Sequence, residues 1–183
     1  MKNKITLENA PMLAPIPAAM VTCGTTDNAN IITIAWTGIV CSIPPMTYIS
    51  VTPERYSHGL LMANREFVIN LTNKELVWPT HWCGSKSGRD YDKFKEMNLT
   101  PLTATKVSVP LIKEAPMNIE CKITEVKTLG SHDMFLAEIV AVHASSHLIS
   151  EKTGKFDAEK AGLINFIHGK YHETGAKTGG SEW

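Results

Sequence analysis

The chain has 183 residues and a mass of 20.1 kDa, and its 18 Lys and Arg residues balance 18 Asp and Glu residues. This length suits one domain with a sizeable core, since typical domains contain roughly 100–200 residues. The balanced charge excludes a strong electrostatic attraction to nucleic acid or to an anionic membrane surface.

The N-terminal segment, MKNKITLENAPMLAPIP, contains no apolar run of signal-peptide length. Elsewhere no stretch approaches the roughly 20 apolar residues of a transmembrane helix. The cysteines are too widely separated for a disulfide scaffold, at Cys23, Cys41, Cys83 and Cys121. These features predict a soluble, unexported protein in a reducing cytoplasm.

The stretch Asn30–Thr52 predicts a β-hairpin with a turn at Pro44-Pro45, because β-branched and aromatic residues dominate both arms. In the first arm neither alternating face is cleanly polar, as expected if one face meets the core and the other meets a ligand or a partner chain. Small residues around Trp36 would let a flat ligand approach the backbone. An ordinary buried hairpin explains the same pattern.

The next segments alternate between helix and strand. Residues 57–64 predict a short helix with Ser57 as its N-cap, and Glu66–Leu71 predicts a strand. Residues 74–82 are compatible with a helix, although they include Pro79. A polar loop over Cys83–Asp90 is predicted to face a ligand, and a short helix begins within Asp90–Phe94.

The second half of the chain contains the clearest strand pattern. Asn118–Val126 alternates strictly, which predicts a half-buried strand with Asn118 and Glu120 on its polar face. The turn Leu129–Asp133 leads into a strand over residues 134–145 that would pair antiparallel with it. Six or seven strands with short helices predict a mainly β fold, an antiparallel barrel with appended helices. The polar tail from His168 needs a neighbour to become ordered.

The segment Thr52–His58 leads from a strand end into a helix start, where free N–H groups and the helix dipole favour an anion. Arg55 could add a bidentate pair to a phosphate, and Ser57 or His58 a further donor. A capped helix with a solvated Arg55 is equally consistent with the pattern. The segment Gly84–Ser87 lacks the spacing of a phosphate-binding loop.

No Cys or His residues have zinc-site spacing, so the sequence predicts no metal site. Nothing in it shows the depressed pKa that a nucleophilic Cys83 would need. His132 lies in a turn between Ser131 and Asp133, which would project its imidazole outward. There it could donate a hydrogen bond or stack on a flat ligand. A solvated turn histidine explains the same placement.

Taken together, these segments resemble the flavin reductase-like family, which folds as an FMN-binding split barrel and includes flavoredoxins and the reductase components of two-component monooxygenases. The similarity runs from about Pro15 to Gly179. It implies a single domain over residues 1–183 with a polar tail from about residue 169. It is carried by PAAMVT, NIITIAWTGIVCSIPP, ISVTPERYSHGLLMANREFVINL, SGRDYDKF, APMNIECKI, LGSHDMFLAEIV and the closing Tyr171, Gly175 and Gly179.

The resemblance implies a homodimer with FMN near the dimer interface. Lys93 would lie at the pyrimidine edge of the isoalloxazine, where a positive charge stabilises reduced flavin. The remaining cofactor contacts carried over by position are Ala35, Trp36 and Thr37 against the ring, Ser50, Thr52, Arg55, Tyr56, Ser57 and His58 along the ribityl chain and phosphate, and Tyr171 near the C-terminus.

The resemblance also names a catalytic candidate, His132. Reductases of this family carry a Gly-Asp-His turn near the nicotinamide, whereas this chain has Gly130-Ser131-His132, and flavoredoxins often have Ser at the middle position. The implied activity is electron transfer from NAD(P)H through FMN to free flavin, a ferric chelate or a partner protein. The alternative is an FMN electron carrier reduced by a protein partner without NAD(P)H. A split barrel without flavin is disfavoured because Arg55, Ser57 and Lys93 are all in position.

Overall fold

The computed structural model describes residues 3–180 and is built mainly from antiparallel β-strands, which confirms the predicted fold class. Four α-helices lie between the strands of this part of the chain: α1 (Tyr56–Asn64), α2 (Val77–Ser85), α3 (Lys93–Glu96) and α4 (Ala158–Ala161). The strands are β1 (Ile16–Pro17), β2 (Ala19–Cys23), β3 (Asn30–Ile34), β4 (Thr37–Ser42), β5 (Pro45–Val51), β6 (Glu66–Leu71), β7 (Pro101–Leu102), β8 (Leu111–Ile112), β9 (Met117–Thr128), β10 (Asp133–Ala144), β11 (Ile164–Ile167) and β12 (Lys170–Glu173).

Seven strands form the main sheet in the order β3-β2-β6-β9-β10-β5-β4, while β1, β11 and β12 form a second sheet and β7 and β8 a third. The predicted hairpin over residues 30–52 is therefore wrong in its first arm. The chain breaks at Ala35 and Trp36 into β3, which pairs with β2, and β4, which pairs with β5. A turn between β4 and β5 is confirmed, but it lies one residue earlier than predicted, at Ile43-Pro44, and Pro45 begins β5.

The short link between β3 and β4 forces the main sheet to curl. These strands stand at opposite ends of the sheet, about 29 Å apart if its six inter-strand spacings lay flat. Only Ala35 and Trp36 separate them, so the Cα atoms of Ile34 and Thr37 lie at most about 11 Å apart. The two ends of the sheet must therefore approach each other, which gives the barrel its closure.

The long strands β9 and β10 occupy the middle of the sheet and carry much of the core. The predictions for β6, β9 and β10 are confirmed, and Phe67 and Phe135 are fully buried between the strands. The polar face predicted for β9 is wrong in its first half, because Asn118 and Glu120 are both buried.

Glu120 is buried yet remains a favourable site for a carboxylate. Burial opposes its ionisation, but hydrogen bonds from the backbone of Thr105 and Lys106 and from the His143 imidazole hold its pKa below its ordinary value. The N–H of Val107 adds another bond, at 3.1 Å from Oε2. This single side chain therefore fixes the loop between β7 and β8 onto the sheet.

Helix α1 begins one residue earlier than predicted, with Arg55 at its N-cap position and no side-chain cap. The prediction of Ser57 as the N-cap is wrong, because its hydroxyl is buried and accepts a hydrogen bond from Asn30 Nδ2 at 2.7 Å. Helix α2 continues to Ser85, so the predicted loop begins later than expected. Pro79 is accommodated because it lies in the first turn, where a helix needs no N–H.

The C-terminal segment finds its neighbour at the N-terminal side of the barrel. Strands β11 and β12 form a hairpin, and β11 pairs with β1 through Ile16 and Pro17. Tyr171 in β12 packs edge-on against Phe166 in β11, with ring centroids 5.3 Å apart. The Tyr171 ring centroid also lies 6.1 Å from that of His81, so the hairpin lies beside α2.

Candidate functional site

A continuous groove runs along the start of α1 and the ends of β3 and β5. It consists of a cationic cavity of about 340 Å³ and a Trp36 cavity of about 180 Å³. Three residues line both cavities, Ile32, Thr52 and Arg55, so the two spaces adjoin. The predicted site residues that line the groove are Ala35, Trp36, Ser50, Thr52, Arg55, Tyr56, Ser57, Lys93 and His132.

The cationic cavity collects positive charge at a helix start. Its charged lining residues are the cations Arg55, Lys86, Arg89 and Lys93 and the single acid Glu54. Arg55 Nη1 donates to the Gly84 carbonyl at 3.3 Å, and its remaining donors are available for an anion. With the unpaired N–H groups that begin every α-helix, this donor set suits a phosphate.

Gly88 brings the loop after α2 against the groove. A Cβ atom at this position would lie 2.1 Å from Asn30 Oδ1 and 2.8 Å from Tyr56 Cδ1, so only glycine permits this approach. Asn30 is itself held by its bond to Ser57. Gly88 was not predicted as a site residue, although it lies in the predicted polar loop and in the SGRDYDKF segment.

Lys93 lies in the cationic cavity and is not among the residues around Trp36. Its ammonium is buried and donates to the carbonyls of Ile31 and Cys83, both at 2.6 Å. Burial lowers its pKa, the effect being offset in part by the neighbouring cysteines. Lys93 therefore joins α3 to β3 and α2 at the back of the cavity, an anchoring role that the sequence did not reveal.

Two aromatic rings contact each other at a tilt in the lining of the Trp36 cavity. The ring centroids of Trp36 and His132 are 4.5 Å apart with an interplanar angle of 35°, and Trp36 remains 42% exposed. Ser131 Oγ lies 2.9 Å from His132 Nδ1. A hydroxyl therefore lies within hydrogen-bond distance of the imidazole at this turn. The Trp36 carbonyl accepts the Ser50 N–H at 3.0 Å, which ties this end of the groove to β5.

Three predicted residues lie outside the groove. His58 Nε2 is 2.8 Å from Asp133 Oδ2, which gives the imidazole a protein partner. Thr37 donates its hydroxyl to the Tyr48 carbonyl and lines a largely apolar cavity that shares Ala35 and Trp36 with the Trp36 cavity. Tyr171 lines a cavity of about 280 Å³ with Thr33, Ala35, His81 and Phe166, which we term the Tyr171 cavity.

The described residues offer neither a reactive Cys83 nor a metal-binding cluster. Burial raises the pKa of the Cys83 thiol to about 11, which disfavours the thiolate that a nucleophile requires. In residues 3–180 no group of three or more His, Cys, Asp or Glu side chains is arranged to hold a metal ion. No helix in this part of the chain combines the length and hydropathy needed to cross a bilayer.

Comparisons with known proteins agree with this architecture. The family model described as "Flavin reductase like domain" matches residues 12–175. An uncharacterized protein of Pyrococcus abyssi is 33% identical over 135 residues, covering 74% of this chain and 77% of the relative. The flavoredoxin structure of Desulfovibrio vulgaris (Miyazaki F) matches with a TM-score of 0.91 and 27% identity over 98% of both chains. An FMN-binding protein from Thermus thermophilus with bound 1-cyclohex-2-enone matches with a TM-score of 0.82 and 27% identity over 98% of this chain and 99% of that chain.

Proposed function

Because this chain belongs to the flavin reductase-like domain family, we propose that it is an FMN-binding oxidoreductase that takes electrons from NAD(P)H and passes them to free flavin, a ferric chelate or a partner protein. The observation that supports this function is the continuous groove. Its cationic end suits a phosphate, and its other end presents Trp36 and His132 to a flat ring.

The residues along the groove fit the parts of FMN in order. Arg55 and the loop around Gly88 would bind the phosphate, whose charge the excess of cations balances. Ser50 and Thr52 would bind the ribityl chain, and Ala35 and Trp36 the isoalloxazine. When bound, FMN would supply the hydride and electron transfer that side chains do not provide.

His132 would hold the nicotinamide in place. Its ring contacts Trp36 and lies within hydrogen-bond distance of the Ser131 hydroxyl, so less rotational freedom is lost when a ligand binds. A histidine held in this way can align a nicotinamide by stacking or by a hydrogen bond. Its contribution would be to alignment and not to the chemistry itself.

The protein would act as a homodimer. Strand β4 forms one edge of the main sheet and exposes Ile39 (73%) and Val40 (50%), and the turn that follows it exposes Ile43 (90%). Such an edge promotes association with another chain unless it is covered. A second copy on β4 would also enclose the neighbouring Trp36 cavity, which is shallow in a single chain.

An FMN electron carrier of the flavoredoxin type is the second candidate. Ser131 favours it, because flavoredoxins often have Ser at this position, and the flavoredoxin of D. vulgaris matches 98% of this chain. Such a carrier would receive electrons from a protein partner and would not bind NAD(P)H.

Anaerobic titration of the FMN-loaded protein with NADH and with NADPH separates the two candidates. Loss of the flavin absorbance with either nucleotide supports the reductase. If dithionite bleaches the flavin and neither nucleotide does, the carrier is favoured. A protein that does not bind FMN contradicts both.

A further inference from the structure

The Tyr171 cavity lies beside the groove, between α2 and the hairpin of β11 and β12. It shares Thr33 and Ala35 with the Trp36 cavity, so it opens next to the end of the groove where a flat ring would bind. An apolar cavity of about 150 Å³ holds benzene. At about 280 Å³, the Tyr171 cavity suits a compound of one or two rings and is too small for a dinucleotide.

The walls of this cavity are aromatic and uncharged. Tyr171 stands edge-on to both His81 and Phe166, with ring centroids 6.1 and 5.3 Å away. Among the described residues that line it there is no Lys, Arg, Asp or Glu, in contrast to the cationic cavity. A carboxylate or phosphate bound here would lose its hydration without a permanently charged Lys or Arg partner in the wall, so the lining favours an uncharged ligand.

Two polar groups at the cavity remain available to a ligand. The hydroxyls of Thr33 and Ser85 already donate to the carbonyls of Thr80 and His81. Within residues 3–180, the Tyr171 phenol and the His81 imidazole have no hydrogen-bond partner. Burial alone raises the pKa of Tyr171, so its phenol remains protonated and able to donate at neutral pH.

We propose that the Tyr171 cavity binds a flat, uncharged aromatic carbonyl compound, whose oxygen accepts a hydrogen bond from Tyr171 Oη and whose ring packs against Phe166. His81 is placed to contribute a second hydrogen bond. Tyr171 then contacts a substrate in place of the cofactor contact implied by the family resemblance. The proposal rests on the proposed function only in taking the adjoining groove as the flavin site.

Calorimetric titration of the FMN-saturated protein tests this binding with two compounds that share a ring, 4-hydroxyacetophenone and the anion 4-hydroxybenzoate. At a pH about one unit above the ordinary pKa of histidine, we expect the ketone to bind about tenfold more tightly or better, because the cavity wall has no Lys or Arg to pair with the carboxylate. Tyr171→Phe should weaken ketone binding about threefold to tenfold through loss of one hydrogen bond. Tyr91→Phe is the matched control, because Tyr91 lines a different cavity and should leave binding unchanged.

Phe166→Asp provides a second variant, since a carboxylate in the wall should abolish ketone binding, and circular dichroism checks that each variant folds. Equal affinities for the two compounds, or unchanged ketone binding in Tyr171→Phe, would overturn the proposal. So would a loss of FMN affinity in Tyr171→Phe without a loss of ketone affinity, because the cavity would then belong to the cofactor. If the parent does not bind FMN, the proposed function fails, and ketone titration of the flavin-free protein still tests the cavity.

Discussion

His58 Nε2 lies 2.8 Å from Asp133 Oδ2, and this contact joins the first turn of α1 to the first residue of β10. The start of α1 lines the cationic cavity, while Asp133 directly follows His132 at the other end of the groove. His58 also packs edge-on against the buried Phe135, with ring centroids 5.3 Å apart. One polar pair therefore fixes the relative positions of the two ends of the groove.

Asp133→Asn should lower the midpoint of thermal unfolding at pH 7. The hydrogen bond from His58 holds the pKa of Asp133 below its ordinary value of 3.8. A carboxyl whose pKa is depressed on folding stabilises the protein above its unfolded pKa, and this stabilisation is lost as the pH falls through the folded pKa. The difference in midpoint between parent and variant should therefore shrink below about pH 4, as measured by calorimetry over a pH series.

The exposed pair of Lys74 and Glu173 provides a control for this experiment. Its ions are 2.7 Å apart, but both side chains are largely in solvent, where ion pairs contribute little. Glu173→Gln should therefore shift the midpoint less than Asp133→Asn at pH 7. A larger shift for Glu173→Gln would contradict the stabilising role assigned to the partly buried pair of His58 and Asp133.

Arg55→Ala should weaken FMN binding. Loss of a guanidinium from a phosphate site costs about 1.5–3 kcal/mol, or about tenfold to a hundredfold in affinity. Fluorescence titration measures the dissociation constant directly. Lys95→Ala removes a positive charge from an exposed position on α3 that does not line the groove, so it should leave the affinity unchanged. Equal affinities in the parent and Arg55→Ala would remove Arg55 from the site.

Gly88→Ala should both destabilise the protein and weaken FMN binding. The new Cβ would clash with Asn30 and Tyr56, and relieving such overpacking typically costs about 1–3 kcal/mol. Gly59→Ala should instead stabilise the protein, because its added Cβ meets no atom within 4 Å and alanine is favoured over glycine in a helix by about 0.5–1 kcal/mol. Urea unfolding of both variants measures the two changes. Destabilisation by both would show that the space around Gly88 is not the cause.

His132→Ala should slow reduction by NAD(P)H while FMN stays bound. Removing a group that aligns the nicotinamide should raise the barrier by about 1–2 kcal/mol, which is about fivefold to thirtyfold in rate. Stopped-flow absorbance with NADH and NADPH measures this rate in the parent and the variant. Equal, rapid reduction in both would discard the role of His132 and retain the reductase. Absence of reduction in the parent would favour the electron carrier.

Light scattering should give a mass of about twice 20.1 kDa for the protein at micromolar concentration. Ile39→Glu should shift this mass toward a single chain, because it places a carboxylate on the exposed apolar edge of β4. Leu102→Glu changes a partly exposed apolar residue on β7 and should have no effect. A parent protein that binds FMN as a single chain would rule out a dimer as a requirement of the site.

Strands with local periodic patterns were predictable, whereas their pairings were not. The strict alternation in β9 fixed its position, but it also assigned Glu120 to solvent. The groups that bury this carboxylate come from a loop at residues 105–107 and from His143, which no pattern within β9 could indicate. The break between β3 and β4 was missed for a similar reason, because both arms have strand composition and their different partners lie far away in sequence.

The sequence predicted many of the residues that line the groove, but it did not predict the hydrogen-bond partners of the polar side chains near it. Residues of the Thr52–Ser57 segment line it because the order of a strand end and a helix start is encoded locally. The hydroxyl of Ser57 and the imidazole of His58 were expected to face a ligand, yet each has a protein partner distant in sequence. Asn30 lies 27 residues from Ser57, and Asp133 lies 75 residues from His58. Such competition between partners is decided by tertiary structure.

Ala35 and Trp36 covalently connect β3 and β4, the two end strands of the main sheet. The seam, meaning the place where these two ends of the sheet meet, therefore lies in the groove that both residues line. A circularly permuted chain with new termini at this peptide bond would retain all strand pairs of the main sheet but lose the tether between its ends. An insertion here would let the seam open and widen the groove, whereas the exposed turn at Gly130 and Ser131 could lengthen without moving either sheet end. The length of this two-residue link therefore limits how far the two ends of the sheet can separate at the Trp36 cavity.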